Sequence, residues 1–155
     1  MKKRIMLIAS TLVVTAFALT KLHTVTAYAV EGWMSEDGEW SYLDENDEPL
    51  QNTWRQSRDS WFYLGDQGIM LRNCFIEQEN SLYYVFDDGA RAENTWVLVE
   101  EGDEKGHEAG WYYFGANGKA YRGTTSSFKR SVDGRSYIFD ESGRMLTGWF
   151  DEEGN

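Results

Sequence analysis

Five short runs concentrate the aromatic and β-favouring residues of this chain. They are WSYLD from Trp40, WFYLG from Trp61, LYYVFD from Leu82, WYYFG from Trp111 and SYIFD from Ser136. Each runs into a polar turn, END, DQG, DDG, ANG or ESG, and a short return run such as IML or RML follows. Aromatic residues suit a pleated, half-buried surface, so each run predicts a β-strand. Asn117-Gly118 is the clearest turn, because Asn and Gly tolerate the positive φ that a tight hairpin demands. The pattern therefore predicts a strand, a glycine turn and a return strand in every unit. No stretch after residue 30 shows a helical period, and the chain has one proline. The fold class expected is all-β.

The runs recur in register. Trp33, Trp54, Phe75 and Trp96 are 21 residues apart, and Trp40, Trp61 and Leu82 keep the same step. So do Tyr42, Tyr63 and Tyr84, and again Asp47, Gly68 and Gly89. The fourth unit carries an insertion, EEGDEKGHEAG, which stretches the gap from Trp96 to Trp111 to 15 residues instead of 7. Being polar and glycine-rich, it reads as an exposed loop. The fifth unit, RSYIFDESGRML, lacks a tryptophan, and a sixth opens with GWFDEEGN. One hairpin of about 20 residues is marginal alone in water. Stacked copies can share their aromatic faces, as repeat proteins do.

The first residues are of another kind. MKKR is basic, the 16 residues IMLIASTLVVTAFALT are apolar, and Ala27 and Ala29 flank a small-residue cleavage point. This layout predicts a signal peptide over residues 1–29, the repeats occupying 30–155 as one domain. The apolar run is shorter than the roughly 18–20 residues of a spanning helix. The net charge is −11, and all 26 acidic residues lie after residue 30. Such a surface repels phosphate backbones and anionic membrane, which excludes nucleic acid as a partner. Cys74 is the only cysteine. No internal disulfide can form, and Cys74 reads as a small apolar filler.

The seven tryptophans ask for more than a core. Leu, Ile and Val fill a small core with less bulk. An indole face attracts a cation, and several faces box a quaternary ammonium group. The same faces can stack on sugar rings. One ring contributes about 0.5–2 kcal/mol to holding a cation. A three-ring site set against the cost of association is therefore weak, near the millimolar range of about −4 kcal/mol. Several such sites on a ligand with many copies become strong together.

The segments TGWF, WYYFGANGKAY and YIFDESGRMLTGW resemble the cell-wall-binding repeats of choline-binding and glucan-binding surface proteins of Gram-positive bacteria. The resemblance covers about residues 32–155. It implies a β-solenoid of stacked hairpins, with ligand pockets between neighbouring units. It implies one pocket from Trp33, Trp40 and Tyr63, and a second from Trp54, Trp61 and Tyr84. A third would start from Trp96 and Trp111 with Tyr137 closing it, and Met70 stands where such repeats often carry a methionine near the pocket. The implied partner is a wall polymer, either choline-bearing teichoic acid or glucan, and the implied location is the cell surface. The junctions QNTW, RNCF and ENTW depart from Thr-Gly-Trp, and Phe75 and Leu82 replace both tryptophans of the third unit.

Other chemistry finds little support. SEDGE, DENDE and DEEGN lack the spacing of a calcium loop and fall where turns are expected, so no metal and no cofactor is expected. Past residue 29 the only histidine is His107, inside the insertion, so no enzyme is expected either. A second reading is a structural or interaction repeat protein with no small ligand, pairing through the open edge of its incomplete last repeat.

Overall fold

The computed structural model describes residues 32–124 and 129–148. The expected signal peptide and Trp149 lie outside the described residues. Among the described residues there is no helix. Ten strands form: β1 Gly32–Glu36, β2 Glu39–Leu43, β3 Thr53–Ser57, β4 Ser60–Leu64, β5 Cys74–Gln78, β6 Ser81–Val85, β7 Thr95–Val99, β8 Gly110–Phe114, β9 Lys129–Val132 and β10 Arg135–Ile138. They pair in sequence order as five two-stranded antiparallel sheets.

In four of the five pairs the turn that joins the strands is not the one the sequence pattern suggests, and the insertion joins β7 to β8. β3 pairs with β4 across Arg58-Asp59, putting Trp54 opposite Tyr63 and Arg55 opposite Phe62. Arg58 takes φ +54°, and the matching turns use Asp37-Gly38 at +52° and +86°, Glu79-Asn80 at +51° and +59°, and Asp133-Gly134 at +49° and +75°. Two-residue loops with positive φ follow the natural strand twist, so full ladders form there. The glycine turns instead fold the chain back for one isolated bridge, as between Leu64 and Met70. Gly65 N–H donates to Ile69 O at 2.8 Å and Leu71 N–H to Tyr63 O at 2.9 Å.

Amides of the return segment alternate, one serving the preceding hairpin and the next its own. Met70 N–H donates to Trp40 O at 2.7 Å. The same bond recurs as Ala120 N–H to Leu82 O at 2.8 Å and Met145 N–H to Trp111 O at 2.7 Å. Each donor stands two residues after a turn glycine, and each acceptor lies in the second aromatic column. Asn52, Asn73 and Asn94, in the junctions that depart from Thr-Gly-Trp, take φ of +48°, +47° and +48°. Asn accepts this left-handed backbone more readily than most residues.

The chain divides into two compact units, Met1–Leu71 and Arg72–Asn155. In the first, Leu43, Tyr63, Leu64 and Met70 are buried. In the second, Phe75, Leu82, Tyr84, Val97, Tyr112 and Phe114 form one cluster. Val132, Phe139 and Tyr113 form another, with Trp96, Tyr121, Tyr137 and Met145 packed against it.

Candidate ligand frames between hairpins

Strand alternation decides which rings can meet. In the first four hairpins the first aromatic column packs edge-on against the tyrosine opposite it. Ring centroids are 5.4 Å apart for Trp33–Tyr42, 4.9 Å for Trp54–Tyr63, 5.2 Å for Phe75–Tyr84 and 5.1 Å for Trp96–Tyr113. The second tryptophan projects from the same face. Trp33 and Trp40 lie 6.5 Å apart at 75°, and Trp96 and Trp111 lie 6.4 Å apart at 84°.

The facing wall comes from the opposite face of the following hairpin. Phe62 packs 5.5 Å from Trp33, and Tyr137 packs 4.8 Å from Trp96. The sequence reading had set Tyr63 beside Trp33 and Trp40, and the structure corrects this by one residue. Successive side chains of a strand point to opposite faces, so a slip of one exchanges Phe62 for Tyr63. Tyr63 lies under Trp54 of its own hairpin, buried, and burial pushes its phenol up.

Two constellations thus share one plan. Trp33, Trp40, Phe62 and Met70 make the first, and Trp96, Trp111, Tyr137 and Met145 the second. The indoles are half-buried, except Trp111, which is 42% exposed. Some aromatic surface is therefore open to solvent in both, while Phe139 stacks on Trp96 at 5.9 Å and 20°. Each also carries an arginine opposite the closing ring, Arg55 across from Phe62 and Arg130 across from Tyr137. Both arginines donate from Nη1 to the preceding residue's carbonyl at 3.0 Å. Arg55 lies over Tyr42, 5.4 Å from the ring centre. Charge beside an aromatic column was not foreseen from the repeat, although its one-residue offset from Trp54 is visible in the sequence.

Trp54 and Trp61 project from one face of β3–β4, both half-buried. Tyr84, which the sequence reading had joined to them, belongs to the second unit. There it packs against Phe75, and its hydroxyl donates to Asn73 Oδ1 at 2.6 Å.

The frame built on Phe75 is closed. Phe75 is 3% exposed, Leu82 1% and Tyr112 0%, with Phe75 and Tyr112 4.9 Å apart. The insertion reaches this site, which corrects its reading as a wholly exposed loop. Residues 101–106 are exposed, but His107 is 5% exposed and stacks on Phe75 at 4.3 Å and 29°. Its Nδ1 lies 2.6 Å from Asp103 Oδ2, and its Nε2 lies 3.4 Å from Glu77 Oε1. Asp103 Oδ1 also accepts from the amides of Lys105 and His107, each at 3.0 Å. Burial alone would push the Asp103 carboxyl up; hydrogen bonds and charge from His107, with the Lys105 amide, bring it below its ordinary 3.8.

This loop is a further copy of the repeat's own turn. Asp44 binds the amides of Asn46 and Glu48, and Asp140 binds that of Arg144, as Asp103 binds those of Lys105 and His107. The spacing of DEKGH matches DESGR, so the signal was present in the sequence. Among the described residues no group of three or more His, Cys, Asp or Glu side chains is arranged to hold a metal ion.

Paired hairpins with a recurring aromatic frame define an all-β hairpin-repeat protein. The family model "Putative cell wall binding repeat" matches residues 52–70 and 110–120, and the chain is similar to that family there. Choline binding protein F from Streptococcus pneumoniae is 27% identical over 79% of this chain and 40% of its own, with a TM-score of 0.58. This chain therefore spans well under half the length of that protein. A truncated alternansucrase from Leuconostoc mesenteroides, 18% identical over 75% of this chain and 10% of its own, shares the fold at a TM-score of 0.58. No curated protein sequence matches the chain.

Proposed function

We propose that this protein is an exported, non-catalytic module that attaches to a repeating polymer of the Gram-positive cell wall. In this reading residues 1–29 direct export, and the hairpins continue one another as a solenoid. The observation that carries it is the recurrence of one frame. Two indoles of one hairpin, a ring of the next and the same backbone bond appear at Trp33–Trp40 and at Trp96–Trp111. Packing alone does not require six indoles in the repeat columns that all stay short of burial, whereas a polymer with a regular ligand gains from each copy.

The ligand offered by the similar choline binding protein is choline. A single frame would hold it weakly, each ring contributing about 0.5–2 kcal/mol. A glycan strand is the second reading, favoured by Arg55 and Arg130 at the two frames. A fixed guanidinium opposes a trimethylammonium group but donates hydrogen bonds readily to sugar hydroxyls.

The test is retention of the protein on purified Gram-positive walls, with choline and a short glucan as competitors. Release by choline assigns the first ligand and release by glucan the second. Failure to bind walls and glucan alike would overturn attachment. The interaction-protein reading would then lead, and a concentration-dependent mass in sedimentation would support it.

A further inference from the structure

We infer that the frame between hairpins β5–β6 and β7–β8 is a binding site already filled by the chain's own imidazole. This frame has the plan of the open ones: Phe75 in the first column, Tyr112 as the closing ring and Ala120 bonded to the Leu82 carbonyl at 2.8 Å. It lacks a second indole, because Leu82 stands there. In the open frames the neighbouring indole meets the first ring edge-on, at 75° for Trp33–Trp40 and 84° for Trp96–Trp111. Here His107 lies nearly parallel to Phe75 at 4.3 Å, the disposition of a stacked ligand rather than of a frame wall.

The site is built for a planar, hydrogen-bonding heteroaromatic ring. Phe75 supplies the face, and two carboxylates supply acceptors at opposite ring nitrogens, Asp103 at 2.6 Å and Glu77 at 3.4 Å. A carboxylate only accepts when ionised, so the ring nitrogen facing it serves as donor. The occupant is delivered by an inserted turn that exists in this unit alone among the described repeats. That turn is secured from its other end, where Tyr112 Oη–H donates to Glu108 O at 2.7 Å and Arg144 pairs with Glu108. This frame consequently takes no polymer, and the insertion serves to close it.

The inference rests on the frames being ligand sites, yet it can be tested without any wall polymer. His107→Ala in the full-length protein leaves a ring-shaped gap on Phe75 beside Asp103. Its thermal midpoint is expected to fall by several degrees, and added imidazole, at concentrations around a millimolar Kd, is expected to restore part of the loss. The parent and His107→Phe, in which the gap stays filled, should show no such rise. Should His107→Ala not fold, His107→Gln, which keeps a donor for Asp103 but no ring, serves the same measurement. An imidazole response equal in parent and variants, or none in the gapped variant, would overturn the inference. Rescue by imidazole with no wall retention would leave it standing and remove only the attachment reading.

Discussion

Tyr137 packs edge-on against Trp96, ring centroids 4.8 Å apart, and so closes a frame begun by the preceding hairpin. Phe62 does the same for Trp33 at 5.5 Å. Replacing either closing ring by leucine keeps apolar volume but removes a π face. Tyr137→Leu and Phe62→Leu are each expected to weaken ligand at their own frame by about two- to thirtyfold, the worth of one ring. Tyr63→Phe should leave affinity unchanged, because that ring is buried against Trp54. Tryptophan-fluorescence titration separates these outcomes, and loss of affinity in Tyr63→Phe would contradict the register described above.

Arg55 holds a positive charge 5.4 Å from the Tyr42 ring, beside the first frame. Two like charges about 8 Å apart at an effective dielectric of about 40 repel by about 1 kcal/mol. Arg55→Gln is therefore expected to bind choline about fivefold more tightly, with no gain for a neutral glucan. Titration at low and high salt is the check, since the difference should shrink as salt screens the charge. Equal choline affinity in both proteins at low salt would show that the guanidinium does not face the ligand.

Leu82 stands in the second aromatic column but is 1% exposed, so its role is packing. Leu82→Ala is expected to cost about 2–5 kcal/mol in denaturant unfolding. Leu98, 49% exposed on β7, should cost less than about 0.5 kcal/mol on the same change. Comparable losses at the two sites would mean that the cluster around Phe75 is not the stable centre of its unit.

The Asp103 carboxyl, held below 3.8 in the folded chain, makes the inserted loop sensitive to acid. A depressed carboxylate contributes stability that is present above its unfolded pKa and is lost as pH falls through the folded one. The loop should thus stay docked at neutral pH and release below about 3.8. Hydrogen exchange at the Lys105 and His107 amides, both bonded to Asp103 Oδ1, follows the transition. Asp103→Asn should lack this step, and an identical acid profile in that variant would assign the release to other carboxylates.

Much of this architecture is legible in the residue pattern. The columns at Trp33, Trp54, Phe75 and Trp96 mark where strands begin, and aromatic runs such as WFYLG mark their partners. What escapes is which turn closes the ladder. Arg58-Asp59 carries no glycine, whereas Asp66-Gln67-Gly68 looks like a hairpin tip, yet only the former has ladder on both sides. The resemblance placed Tyr137 beside Trp96, but the closing ring of the first frame escapes for a related reason. Phe62 and Tyr63 are both aromatic neighbours in one strand, and composition cannot say which points forward. His107 was misplaced because a polar insertion suggests solvent, while one imidazole between Phe75 and Asp103 is enough to anchor it.

The bonds from Met70 to Trp40, from Ala120 to Leu82 and from Met145 to Trp111 join main chain to main chain. Neighbouring copies thus keep their spacing whatever side chains they display. The hairpin that carries Phe75 and Leu82 in place of indoles still accepts the same bond from the hairpin after it. Side chains at such a junction can drift while the main-chain link is inherited unchanged.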